Sequence, residues 1–128
     1  MNEFDEQALS DAQKDALQLA RVAAQTGHEF GAVDILVLPI GEVVGIADFF
    51  VIMSASNTRL VRAVVDKLEE QIAKECNERP QAVEGADSRA WVLMDYVSTI
   101  IHVFSTDERE YYRLERLYGD VQPLDWTN

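Results

Sequence analysis

Residues 53–59 read MSASNTR, closing the apolar run FFVIM and leading into LVRAVVDKL, which has helical spacing. A strand, a short polar turn carrying an arginine and a helix start together form the frame of many phosphate-binding loops. Such a loop needs backbone N–H groups that approach an anion closely, and glycines usually allow this. The segment has no glycine, no GxxxxGK(S/T) and no GxGxxG. Ser56 and Asn57 are instead favoured helix N-caps. Arg59, in the first turn, suits either an anion or a carboxylate such as Asp48. The segment is read as a corner and a cap.

Other reactive residue types are sparse. His28 and His102 stand apart, with no HExxH and no Cys/His cluster, so a metal site lacks ligands. His102 falls in IIHVF and is read as a packed or edge histidine. Cys76 is the single cysteine, read as a free structural thiol that cannot form an internal disulfide. Asp34, Asp48 and Asp95 each touch an expected strand, but not at the spacing of paired metal-binding carboxylates. Asp48 and Asp95 suit turn N–H groups instead. No cofactor is expected.

The aromatic residues are more unusual. Trp91, Tyr96, Tyr111, Tyr112 and Tyr118 all lie in the last forty residues. Strand alternation puts Trp91, Leu93 and Asp95 on one face. Helical spacing puts Tyr111, Leu114 and Tyr118 on one stripe, with Tyr112 and Glu115 on its neighbour. Trp, Tyr and Arg among carboxylates are the usual composition of a protein-binding hot spot. A simple aromatic core accounts for the same spacing, and both readings stay open here.

The elements that must position these residues can be followed along the chain. Apolar residues recur at helical spacing up to Thr26, with Ser10 and Gln13 matching a capping box and Gly27 suiting the stop. AVDILVLPI and ADFFVIMSA read as buried strands joined by the turn-bounded GEVVGI. NTRLVRAVVDKLEEQIAKEC carries Val61, Val64, Val65, Leu68 and Ile72 on one helical stripe. PQAVEG reads as a brief strand ended by Gly85. RAWVLMDY and TIIHVF read as a hairpin across VS. STDEREYYRLERLYG reads as a last helix, with Ser105 and Glu108 at its start and Gly119 at its stop. The order is α-β-β-α-β-β-β-α. This is an α/β (α+β) layer fold: a mixed sheet of about five strands flanked by helices. The chain is expected to be one domain, 1–128, with an N-terminal helix at about 8–26, a core at about 32–119 and an irregular tail at 120–128.

The 128 residues suit one compact domain, and 48% are apolar, enough for a real core. No run of eighteen apolar residues exists, so no membrane span is expected. The acidic start MNEFDEQALSDAQ does not resemble a secretory signal, and a cytoplasmic setting is expected. A net charge of −12 disfavours binding to a bare phosphate backbone. It favours encounter with a basic partner, and it also keeps a small protein soluble.

DILVL, ADFFVIMSASNTRLVRAV, VEG, WVLMDY, IIHVF and REYYRLERLYGD occur in the order found in the ribosomal silencing factor family, also called Iojap-like. The resemblance runs from about Val33 to Asp120. It implies a nucleotidyltransferase-like topology without the transferase active site, and therefore no enzyme activity. It implies a translation repressor that binds the large ribosomal subunit through a β-barrel protein on its joining face, the fourteenth large-subunit protein. Occupying that face would block the small subunit. The resemblance also implies a homodimer when the chain is free. Carried over position by position, the partner-binding residues are Trp91, Leu93, Asp95, Arg109, Tyr111, Tyr112, Glu115 and Tyr118, with Leu114 and Leu117 in the same motif. Two positions depart from the family pattern. Val97 stands where a glycine usually follows DY, and Tyr118 stands where a tryptophan usually ends the last helix. A nucleotide-binding or nucleotidyl-transferring enzyme and a large-subunit assembly factor are the rival readings.

Overall fold

The computed structural model describes residues 4–41 and 45–127. Helix α1 spans Asp11–Glu29, and Ser10 and Gln13 form the expected reciprocal capping box at its start. The helix runs past Gly27, which is not its stop. A Cβ on Gly27 would lie 2.6 Å from the Met53 sulfur, so this glycine lets the helix approach the sheet. The stop is Gly31, with φ +97°. There Ala32 N–H donates to Gly27 O at 2.8 Å and Gly31 N–H to His28 O at 3.3 Å.

Strand β1 spans Val33–Pro39 and β2 spans Phe49–Ala55. The connection between them, GEVVGI, lies in part outside the described residues, at 42–44. Helix α2, Thr58–Cys76, buries the expected stripe of Val61, Val64, Val65, Leu68 and Ile72. It ends at Asn77, in the left-handed region with φ 55°. A short strand β3 (Ala82–Glu84), then β4 (Trp91–Asp95) and β5 (Thr99–Ser105) complete a five-stranded sheet of order β1-β2-β5-β4-β3. The central β2–β5 pair is parallel and the remaining pairs are antiparallel, so the sheet is mixed as expected.

Alternation divides the sheet into two faces. Phe49, Val51 and Met53 of β2, Val92 and Met94 of β4 and Ile101 and Val103 of β5 form one core with α1 and α2. On the same side, Thr99 Oγ1 donates to the Ala16 carbonyl at 2.9 Å, tying β5 to α1. Phe50, Ile52 and Phe104 point the other way and join Leu38, Ile40 and Ala47 in a second core.

The second face has a lighter cover. Helix α3 spans only Thr106–Tyr112, and Ser105 Oγ accepts from the Glu108 N–H at its start. The single helix expected up to Gly119 is therefore a correction. Arg113 turns into the left-handed region at φ 48°, and a 3-10 turn follows at Leu114–Tyr118. The Arg113 N–H closes on the Arg109 carbonyl at 2.8 Å, and the Arg113 Nε donates to the Glu110 carbonyl at 2.9 Å. The break has a packing cause: it turns Leu114, Tyr118 and Val121 down onto the second core. Over residues 120–127 the tail has no helix or strand, yet it is docked. Leu124 N–H donates to the Val37 carbonyl at 2.8 Å, and the Trp126 indole N–H to the Ile35 carbonyl at 3.3 Å, along the free edge of β1.

The β4–β5 turn shows what Val97 does in place of a glycine. Val97 sits at φ 73°, and Ser98 N–H closes on the Tyr96 carbonyl at 2.9 Å. This is a γ-turn, a strained conformation for a β-branched residue. Asp95 Oδ1 accepts the Val97 N–H at 2.7 Å, the turn role expected for this carboxylate. Such strain costs about 1–3 kcal/mol, and glycine loses about 0.5–1 kcal/mol through the unfolded chain. Val97→Gly is therefore expected to stabilise the fold by about 1 kcal/mol, read as a higher urea midpoint at unchanged slope. An equal or lower midpoint would show that the turn carries no such strain.

Candidate partner-binding face

Strand β4 alternates between half-buried and buried residues, with Trp91, Leu93 and Asp95 on the outer face. Register places Trp91 opposite Phe104, Leu93 opposite His102 and Asp95 opposite Ile100. Glu84, on the neighbouring β3, pairs with Leu93 and shares its face. A continuous series of rings crosses this surface. Tyr111 meets Tyr112 edge-on at 5.0 Å, and Tyr112 meets Trp91 at 5.0 Å. Trp91 stacks on Phe104 at 4.8 Å. His102 lies 4.8 Å from Phe50, which meets Tyr118 edge-on at 5.4 Å.

The rings run from buried to exposed. Phe104 and His102 are buried, Trp91 and Tyr118 are partly so, Tyr112 is 50% exposed and Tyr111 is 80% exposed. Leu117, on the 3-10 turn, is 74% exposed. A fixed ring base with an exposed apolar rim is an arrangement suited to seating a partner. Carboxylates stand around it, with Glu84 on the sheet side and Glu110 on the helix side, both exposed.

The residues expected to bind a partner do not all face outward. Trp91, Leu93, Tyr111 and Tyr112 share this face or its rim. Asp95 spends one oxygen on the hairpin turn. Tyr118 lies over Phe50. Arg109 is only 7% exposed and points inward: Nη1 donates to Ser54 Oγ at 2.8 Å, and Nε meets both Glu115 oxygens at 3.2 Å. Phe50, Phe104 and Glu84 were not singled out from sequence. The alternation within ADFFVIM and IIHVF is the signal that would have found the two phenylalanines.

The MSASNTR corner is a cap. Asn57 Oδ1 accepts the Leu60 N–H at 2.8 Å, occupying a donor that a phosphate would need. Arg59 is exposed, and Asp48 is met by the Gln13 amide at 3.5 Å.

His102 is a packed histidine that anchors Trp91. The indole N–H of Trp91 donates to His102 Nδ1 at 3.2 Å. Indole can only donate, so Nδ1 must hold its lone pair and the neutral ring carries its proton on Nε2. Nε2 is buried and reaches no hydrogen-bond partner among the described residues. Protonating Nδ1 would set two donors against each other. Burial pushes the imidazole down from 6.5 to about 4. Unfolded, His102 takes a proton below about pH 6.5; folded, it resists until about pH 4. Its contribution is thus complete above pH 6.5 and is lost as pH falls toward 4, by roughly 3 kcal/mol in all. Urea unfolding from pH 7 to pH 4 is expected to show a stability difference between parent and His102→Phe that shrinks by that amount. A pH-independent difference would exclude the assignment.

A sequence profile of the family described as ribosomal silencing factor during starvation matches residues 13–128. The chain is 35% identical over 107 residues to the ribosomal silencing factor of Bacillus subtilis, covering 84% of this chain and 90% of that protein. It is 34% identical over 87 residues to the mouse protein named mitochondrial assembly of ribosomal large subunit protein 1, covering 66% of this chain and 38% of that one. A crystal structure of a Chromobacterium violaceum protein superposes with a TM-score of 0.77 at 22% identity, covering 88% of this chain and 92% of that chain, and so shares the fold. By the length of the profile match and its identity to the Bacillus protein, the chain belongs to the ribosomal silencing factor family.

Proposed function

We propose that this protein docks on the large ribosomal subunit through the Trp91–Tyr112 face and physically keeps the small subunit from joining. The observation that carries this reading is the ring series, fixed at Trp91 and exposed at Tyr111, Tyr112 and Leu117, in a member of a family named for ribosomal silencing. The name of the mouse relative, which concerns large-subunit assembly, supports the large subunit as the platform. The partner that fits is a basic protein on the joining face, the β-barrel fourteenth protein that the family resemblance implies. Net charge supports a protein rather than bare RNA as the first contact: −12 attracts a basic surface and repels phosphates.

The mechanism is occupancy. A bulky body held on the joining face excludes the other subunit without any bond being made or broken, so affinity relative to concentration sets the effect. The site of action is the cytoplasm. In the free protein, the exposed Tyr111 and Leu117 favour pairing of two copies through this same face, so ribosome docking and dimerisation compete.

Co-sedimentation with purified large subunits tests the site. Tyr112→Ala and Leu117→Asp alter exposed positions and are expected to keep the fold. Each should weaken binding by about 2 kcal/mol, roughly thirtyfold, as hot-spot truncations do. Variants that bind and inhibit subunit joining like the parent would remove these residues from the interface. A parent that never sediments with large subunits would remove the function. Raising salt from about 0.1 M to about 0.5 M is expected to slow association much more than it alters dissociation, because the carboxylates act at long range. Association rates that do not respond to salt would show that charge plays no part in the encounter.

A further inference from the structure

Arg109 holds three elements together. It starts on α3, reaches Ser54 Oγ on the central strand β2 at 2.8 Å, and grips both oxygens of Glu115 on the 3-10 turn at 3.2 Å. Ser54 is buried, and the Glu115 side chain is 31% exposed. The 3-10 turn buries none of its own residues and has no side-chain cap at its start. It follows a left-handed arginine and is held to the sheet by partly buried Leu114, Tyr118 and Val121. A segment with so little burial opens readily unless something pins it. Charge-assisted bonds inside the protein are stronger than neutral ones, and a planar guanidinium presents its donors in a fixed fork.

We propose that Arg109 is a positioning residue: pinned between Ser54 and Glu115, it latches residues 113–121 onto the sheet and so fixes Leu117, on the exposed rim, for docking. This rests on the docking reading above. A latched segment binds at full strength, whereas an open one binds only in the fraction of time it closes. Arg109 and Glu115 then act on the partner without touching it.

Amide hydrogen exchange on the free chain tests the latch, followed by large-subunit co-sedimentation of the same variants. Arg109→Met and Glu115→Ala are expected to speed exchange across residues 113–121 by about tenfold or more, while β2 and α2 keep the parent rates. Glu115→Gln keeps an acceptor oxygen and should fall between. Arg109→Lys keeps the charge but not the fork, and should resemble Arg109→Met. Glu115→Ala, at a partly exposed position, keeps the test open if Arg109→Met fails to fold. Parent-like exchange at residues 113–121 would overturn the proposal. So would a rise shared equally by β2 and α2, which would mark a purely global effect. Local opening in Glu115→Ala with parent-like subunit binding would overturn the positioning role. If the parent itself fails to bind large subunits, the docking reading falls, and the exchange pattern still decides whether the latch exists.

Discussion

Every residue of β2 is buried, and this constraint organises the molecule. A strand enclosed on both faces needs cover on both. Two helices of 19 residues each cover one face. The other receives a helix of 7 residues, a 3-10 turn and an irregular tail. That cover is too small to enclose Phe50, Phe104 and Trp91 and still bury its own apolar side chains. Exposure of Tyr111, Tyr112 and Leu117 is thus a consequence of how the second face is closed. The same asymmetry explains why Arg109 is drawn inward: a light cover needs a tie, and the buried Ser54 hydroxyl on the central strand supplies the anchor.

Much of this was legible in the sequence because local rules agreed with one another. The capping box at Ser10, the cap at Asn57 and the alternation of β2, β4 and β5 each depend on neighbours a few residues apart. What was not legible depended on distant contacts. Gly27 looks like a helix stop, but its role is set by Met53 across the interface. The break at Arg113 carries no Gly, Asn or Pro to announce it; a non-glycine residue takes the left-handed position because Leu114 and Tyr118 must reach the sheet. Arg109 has the composition of a docking residue, and only the position of Ser54 turns it inward. The Trp91–His102 bond joins residues 11 apart in sequence, and register across the hairpin decides it.

On the proposed docking, the face would divide its work between two kinds of group. The carboxylates, solvated and spread, would act at long range and set how often a basic partner arrives. The rings would act at contact and set how long it stays. Trp91 belongs to both the interior and the surface. Its indole N–H is held by His102 and its ring rests on Phe104, so little side-chain freedom remains to be lost when a partner covers it. Tyr112, leaning on Trp91, is partly ordered in the same way.

An exposed, preformed apolar face also has a cost when it stands empty, and pairing two copies is the simplest way to cover it. If both uses draw on the same rings, the dimer becomes a reserve. Dilution releases monomers and a large subunit captures them, while at high concentration the dimer takes up the excess, so free monomer rises less than in proportion to total protein. The dimer would then buffer silencing against changes in concentration without any modification of the protein, because one set of side chains cannot serve two partners at once.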